Sequence, residues 1–246
     1  IVSTINSTVQ VYSAEGELLE SMSLATFGSD LELSGNKFDP RVQYDPTADR
    51  FVLTYLNGTN AKQSNLTIAF SQTNDPAGDW NLYYLPGNPL SDSSWSDYPM
   101  ISITENEVFY TINLLNPGGS WQTSFKQTVI WQIDKNAGYK GEELSTKLWS
   151  DIGFGGKPIR NLYPIKGGAD IYGPNCYFLS TRNFALENDT IFFLEITGEK
   201  DDTETELKVD YLISDVAYGM PPNASQKQTN LELQTHDGRI LDGFIE

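Results

Sequence analysis

The sequence predicts an all-β chain of four-stranded antiparallel units repeated in tandem, the arrangement of a β-propeller. Three observations carry this. Short runs with alternating apolar or β-branched and aromatic character recur throughout, and helical periodicity is nearly absent. Clusters of Gly, Pro, Asn and Asp separate the runs. The order of four strands in meander succession then returns, with Asp39 and Asp97 standing 58 positions apart and Tyr98 and Tyr163 standing 65 apart.

The elements follow in chain order. "TVQVYS" and "ELLESMSL" read as a hairpin over 8–24, turning at Ala14–Glu15–Gly16. A first set of four over 38–86 comprises "RVQY", "RFVLTYL", "LTIAFS" and "WNLYYLP". "DYPMISI", "EVFYTINLL", "FKQTVIWQID" and "EELSTKLW" give a second over 96–150, and "NLYPIKG", "NCYFLSTRN", "TIFFLEIT" and "TELKVDYLI" a third over 160–213. "ELQTHDGRILDGFIE", 231–246, reads as the opening pair of a fourth. Each meander exposes a hydrophobic face that only its neighbours can cover, so the units should stack around a shared axis. A β-sandwich is the competing fold. The N-terminal hairpin takes the place of third and fourth strands and the C-terminal piece that of a first and second. Either the ends meet and close a ring of four, or the chain is a portion of a larger ring; the stop within a strand-like run favours the second.

Composition narrows the function classes. With 246 residues, 39% hydrophobic and 12% aromatic, a large core can form. Sixteen basic residues against 33 acidic ones give a formal charge of −17, a field that repels phosphate backbones and anionic lipid and so disfavours nucleic acid and membrane docking. The single cysteine, Cys176, excludes an internal disulfide and sits in a strand-like run as an inert buried thiol. Sequons at Asn6, Asn57, Asn65, Asn188 and Asn223, with few lysines, favour a secreted or cell-surface chain.

The stretches "DPRVQYDPTADRFVLTYL", "FSQTNDPAGDWNLYYLP" and "WSDYPMISITENEVFYTIN" resemble large secreted bacterial propeller proteins, notably of Bacteroidetes. That resemblance is close over Phe38–Asn113 and loose thereafter. It implies a propeller fold and export, often by the type IX route, and no particular activity. "TNDPAGDW", Thr73–Trp80, looks like a variant Asp-box with its glycine one position late. Asp75 would bond turn N–H groups, Gly78 would supply a permissive φ and Trp80 would pack beneath, all as a fastening rather than a catalytic device.

The candidate binding residues are Asp39, Arg41, Asp97, Arg160, Arg239, Trp95 and Trp121. Arg41 and Arg239 open equivalent first strands and Arg160 precedes a third, so guanidiniums at a propeller mouth would clamp a carboxylate or sulfate. The competing reading pairs each arginine with Asp39, Asp97 or Asp237 as a blade contact. Trp95, Trp121 and Tyr139, in loop contexts, are candidates for a sugar platform. His236, the only histidine, lies in a turn, and with no Gly-x-Ser-x-Gly elbow no catalytic triad is expected. No cofactor is expected, although calcium on the oxygen-rich pairs Asp45/Asp49 or Asp201/Asp202 stays open. The favoured function is a non-catalytic scaffold contacting a protein or polysaccharide at the cell surface. A carbohydrate-active hydrolase or lyase is the alternative, as is a component or passenger of the type IX apparatus.

Overall fold

Alternate residues of Arg50–Asn57 and Glu107–Leu115 face different cores, and this alternation organises the molecule. The structure, a computed structural model, describes residues 1–168, 170–185, 187–233, 235 and 240–245. Strand accounts for 51% of it and helix for 5%, which makes it all-β. An N-terminal antiparallel sheet holds β1 (Val2–Ile5), β2 (Thr8–Tyr12) and β3 (Leu18–Ser23), followed by the short helix α1 (Leu24–Phe27). The first four-stranded sheet runs in order β4 (Lys37–Asp45), β5 (Arg50–Asn57), β6 (Asn65–Ser71) and β7 (Trp80–Pro86). A second contains β8 (Trp95–Ile103), β9 (Glu107–Leu115), β10 (Phe125–Asp134) and, after helix α2 (Lys135–Lys140), β11 (Thr146–Trp149). The small hairpin β12 (Gly153–Phe154) and β13 (Lys157–Pro158) follows. A third four-stranded sheet combines β14 (Tyr163–Pro164), β16 (Cys176–Thr181), β17 (Glu187–Ile196) and β18 (Leu207–Gly219). Outside it, β15 (Lys166–Gly167) pairs in parallel with β21 (Phe244–Ile245), and β19 (Ala224–Ser225) pairs with β20 (Glu232–Leu233).

Period-two patterning sends opposite faces of each sheet into successive cores. From β5, Leu53 and Tyr55 join Val9 and Leu24 in a core beneath the N-terminal sheet. Val52 and Leu56 face the other way, meeting Val108, Tyr110, Ile112 and Leu114 of β9. Phe109 and Ile130 leave the opposite face of the second sheet and pack on Cys176, Phe178, Phe192 and Leu194 of the third. All nine residues of β9 are therefore buried.

Several expectations are corrected. The stretch 8–24 is not a lone hairpin, because Val2–Ile5 adds a third strand beside Thr8–Tyr12. "EELSTKLW" supplies only four strand residues, and α2 stands before it. Asp134 caps that helix by accepting from the Asn136 and Ala137 N–H groups, and Gly141 closes it at φ 74°. A Cβ at Gly138 would lie 2.5 Å from the Phe70 ring, so α2 can seat on the first sheet only through glycine. The pair expected over 231–246 does not open a further meander among the described residues: Glu232–Leu233 pairs with Ala224–Ser225, and Phe244–Ile245 with Lys166–Gly167.

In the Asp-box variant, Asp75 Oδ1 accepts from Ala77 N at 3.0 Å and Trp80 Nε1 donates to Pro76 O at 3.1 Å. Gly78 serves by size rather than by φ, since an added Cβ would meet Asp75 O at 3.2 Å and its φ is not positive.

Candidate functional site

The first strands of consecutive four-stranded sheets lie against one another, and their N-terminal ends share one local device. Asp39, Tyr98 and Asn161 have φ of 51°, 57° and 55°, in the left-handed region that non-glycine residues avoid. Two residues after each, the chain is back in register: Arg41 opposite Thr54, Met100 opposite Thr111, Tyr163 opposite Leu179. In β4 and β8 the excursion is a bulge and the next residue is proline, Pro40 or Pro99. Prolines disfavour helical backbone before them, so each left-handed residue is held by its surroundings at a cost of ~1–3 kcal/mol. Such strain gathers where a chain re-aims side chains for a purpose. The Tyr-Pro echo is offset by this measure, because Tyr163 occupies the place of Met100 and Arg41 rather than that of Tyr98.

These ends are joined across sheets. Arg41 Nε donates to Pro99 O at 2.9 Å, the Tyr98 and Tyr163 hydroxyls lie 2.9 Å apart, and Ser102 Oγ donates to Ile165 O at 2.6 Å. A cavity of about 730 Å³ opens there, and Arg41, Asp97, Tyr98, Trp121, Arg160 and Phe184 are among the residues lining it. Its size falls within the range of small-ligand sites.

Arg41 acts by its charge on the Asp39 carboxyl, and Arg160 on that of Asp97. Arg160 is buried and donates to the carbonyls of Gln122 (3.1 Å) and Trp121 (2.5 Å). Its guanidinium lies 4.9 to 5.7 Å from the rings of Phe184, Phe125 and Trp121, a cation–π enclosure. Arg41 makes no ion pair within 4 Å among the described residues. Trp121 is 49% exposed and its ring centroid is 5.8 Å from that of Phe184. Trp95 does not join them: it is the first residue of β8, partly buried and away from the cavity. Tyr139 is in α2 and its hydroxyl donates to Asp45. Arg239, Asp237 and His236 lie outside the described residues.

Sequence reasoning passed over Phe184, Asn113, Asn161, Lys166 and Asp242, which also line the cavity. Asn113 Nδ2 donates to Asn161 Oδ1 at 2.5 Å, tying the second sheet to the third beneath the mouth.

Of the calcium candidates, Asp45 Oδ2 accepts from the buried Lys135 Nζ at 2.7 Å and from Tyr139 OH at 2.9 Å, while Oδ1 accepts from Thr47 and Ala48 N. Asp49 takes Tyr44 OH and Asn74 Nδ2, and Asp202 takes Glu199 N. Among the described residues, no three His, Cys, Asp or Glu side chains gather as a metal site. Cys176 is buried and free, with burial pushing its thiol pKa up, which keeps it unreactive. Asn57 is buried, and its amide nitrogen donates to Ser34 O and Gln63 O, so this sequon cannot carry a glycan in the folded protein.

Burial raises the carboxyl pKa of Asp39, opposed by the Arg41 charge. It raises that of Asp97 too, helped by the charge on Asp39 and opposed by the Tyr98 N–H and Arg160. Buried Glu107 is likewise raised by desolvation, against the bonds from Gln132 and Lys200. A carboxyl raised in the folded state contributes stability that is complete below its unfolded pKa and lost as pH climbs through its folded value. The unfolded values lie near 3.8 and 4.5. Asp92 has the opposite sign, held at about 2 by Lys126 and Ser94, so its contribution fades only as strong acid is approached. The melting temperature should therefore rise as pH falls toward these unfolded values, and fall again in stronger acid. Differential scanning calorimetry across that range checks this, and Asp39→Asn/Asp97→Asn should flatten the rise. A steady decline from pH 7 downward would refute the assignment.

A scan against protein-family models, a search of curated proteins and a search of solved structures each return no match for the chain.

Proposed function

We propose that the chain is an arc of a β-propeller, exported to the cell surface, whose first-strand mouth is a non-catalytic recognition site for a polysaccharide. The observation that carries the reading is the cavity lined by Arg41, by Asp97, Tyr98 and Met100, and by Arg160 and Asn161, with the half-exposed Trp121 ring at its wall. Meanders stacked through shared cores, first strand against first strand, are what blades fanned around an axis require. The resemblance over Phe38–Asn113 and the exposed sequons support export. An indole face beside convergent amide, guanidinium and carboxyl groups suits a ring that is apolar on one side and hydroxylated at its edge.

The hydrolase alternative draws on Asp39 and Asp97, whose pKa values are both raised, because a glycosidase needs one carboxyl kept protonated. Both shift in the same direction, however, whereas an acid and its partner base need theirs driven apart. Passing the purified chain over a panel of immobilised polysaccharides, and assaying the eluates for reducing ends, separates the two. Retention without product, weakened roughly tenfold or more by Trp121→Ala, is the expected result. Release of reducing ends that Asp97→Asn abolishes would overturn the binding reading. Passage through the whole panel without retention would overturn the polysaccharide reading.

A further inference from the structure

We propose that the saccharide taken by this cavity is acidic, and that its carboxylate is gripped by Arg41 through the two terminal guanidinium nitrogens. The inference rests on the saccharide reading above and names the ligand's chemistry.

The chain carries a formal charge of −17, yet the described residues lining the cavity include three cations, Arg41, Arg160 and Lys166, against two carboxylates, Asp97 and Asp242. With Asp39 beside Arg41, cations and carboxylates balance at this mouth, so in a strongly acidic molecule an anion is repelled least here.

The three cations differ in the donors they can offer a ligand. Lys166 Nζ is ion-paired to Asp242 at 2.6 Å. Arg160 is fixed by the Trp121 and Gln122 carbonyls and enclosed by aromatic rings. Arg41 differs: its Nε is anchored on Pro99 O at 2.9 Å, and its terminal nitrogens make no hydrogen bond among the described residues. Anchoring Nε holds the planar group in place and presents the NH1–NH2 edge, the edge that receives both oxygens of a carboxylate. The left-handed Asp39 and the bulge between Phe38 and Arg41 are what turn this side chain into the mouth.

The exposed indole of Trp121 favours a sugar acid over a small inorganic anion. An anion alone would leave Trp121, 49% exposed at the cavity wall, without a role. A pyranose carrying a carboxylate supplies a C–H face for that indole, hydroxyls for Asp97 to accept from, and charge for Arg41. Uronate-bearing oligosaccharides fit this description.

Isothermal titration of the full chain at ~0.15 M salt, where long-range fields are screened beyond about 8 Å, tests the proposal with three probes. These are a uronate trisaccharide, its fully methyl-esterified form and the corresponding neutral trisaccharide. The acid should bind roughly tenfold or more tightly than the ester, as charge-assisted bidentate bonds require. Arg41→Lys, which keeps the charge and loses the fork, should erase most of that preference, the acid losing more affinity than the ester. Trp121→Ala should weaken all three alike. Circular dichroism melts identify any variant that fails to fold, and the comparison of acid with ester on the unaltered protein stands without variants. Equal binding of acid, ester and neutral sugar would overturn the acidic specificity and leave the saccharide reading intact. Binding of none of the three would overturn both.

Discussion

Lys135→Met should destabilise the protein by about 3–5 kcal/mol, because it strands a buried carboxylate. The side chains of Lys135 and Asp45 are 3% and 0% exposed, and Nζ sits 2.7 Å from Asp45 Oδ2 and 2.8 Å from Thr104 O. Asp45 ends the first strand of one four-stranded sheet, Thr104 follows the first strand of the next, and Lys135 opens the helix that bridges them. One ammonium thus satisfies acceptors on both sheets where water cannot. In a chain of this size the loss corresponds to a fall in melting temperature of ~6–20 °C. Asp45→Leu should cost more than Lys135→Met, since it also abandons the N–H groups of Thr47 and Ala48 and the Tyr139 hydroxyl. Urea titrations of the two single variants and the double variant would give the coupling directly. A Lys135→Met protein within 1 kcal/mol of the parent would show that the pair does not hold the sheets together.

That pair spans ninety positions of sequence, and nothing local announces it. What was legible had local cause. The strands of the first meander and the first three of the second alternate faces over seven or more residues, and "DPTAD" and "TNDPAGD" carry turn chemistry in the first, so these pairings could be read directly. Val2–Ile5 escaped because Ser3 and Thr4 blur the alternation. α2 escaped because six residues containing a glycine give no helical period; only Asp134 as cap and Gly141 as stop hinted at it. Asp201 and Asp202 looked ligand-like because composition does not reveal which oxygens are already committed. At the candidate site, Arg41, Asp97 and Arg160 stood out because they flank Asp-Pro, Tyr-Pro and a strand start. Phe184 and Asp242 reach the same cavity from loops distant in sequence, where no periodicity constrains position. The left-handed backbone at Asp39, Tyr98 and Asn161 had a partial signal in the prolines after the first two. For Asn161 the signal was only the tolerance of asparagine for that region.

Phe109→Ala should destabilise the protein by about 3–5 kcal/mol as well, and its pattern of coupling tests how the sheets are layered. Phe109 is fully buried, yet its ring turns away from the core that holds Val108 and Tyr110 on either side of it in sequence. It meets Phe178 edge to face, with centroids 5.9 Å apart and planes at 76°. Truncation removes that contact and leaves a hole between two sheets that are themselves rigid, so little collapse can fill it. If the second and third sheets share this core, Phe109→Ala and Phe178→Ala must be non-additive, with about 0.5–1.5 kcal/mol of coupling from the ring pair. Leu53→Ala, in the core beneath the N-terminal sheet, should instead add to Phe109→Ala within about 0.5 kcal/mol. Coupling between Phe109 and Leu53 as large as that between the two rings would mean a single continuous interior. Successive sheets could not then be separate layers, each screening its neighbour's apolar face from water, and the ground for the proposed propeller reading would go with them.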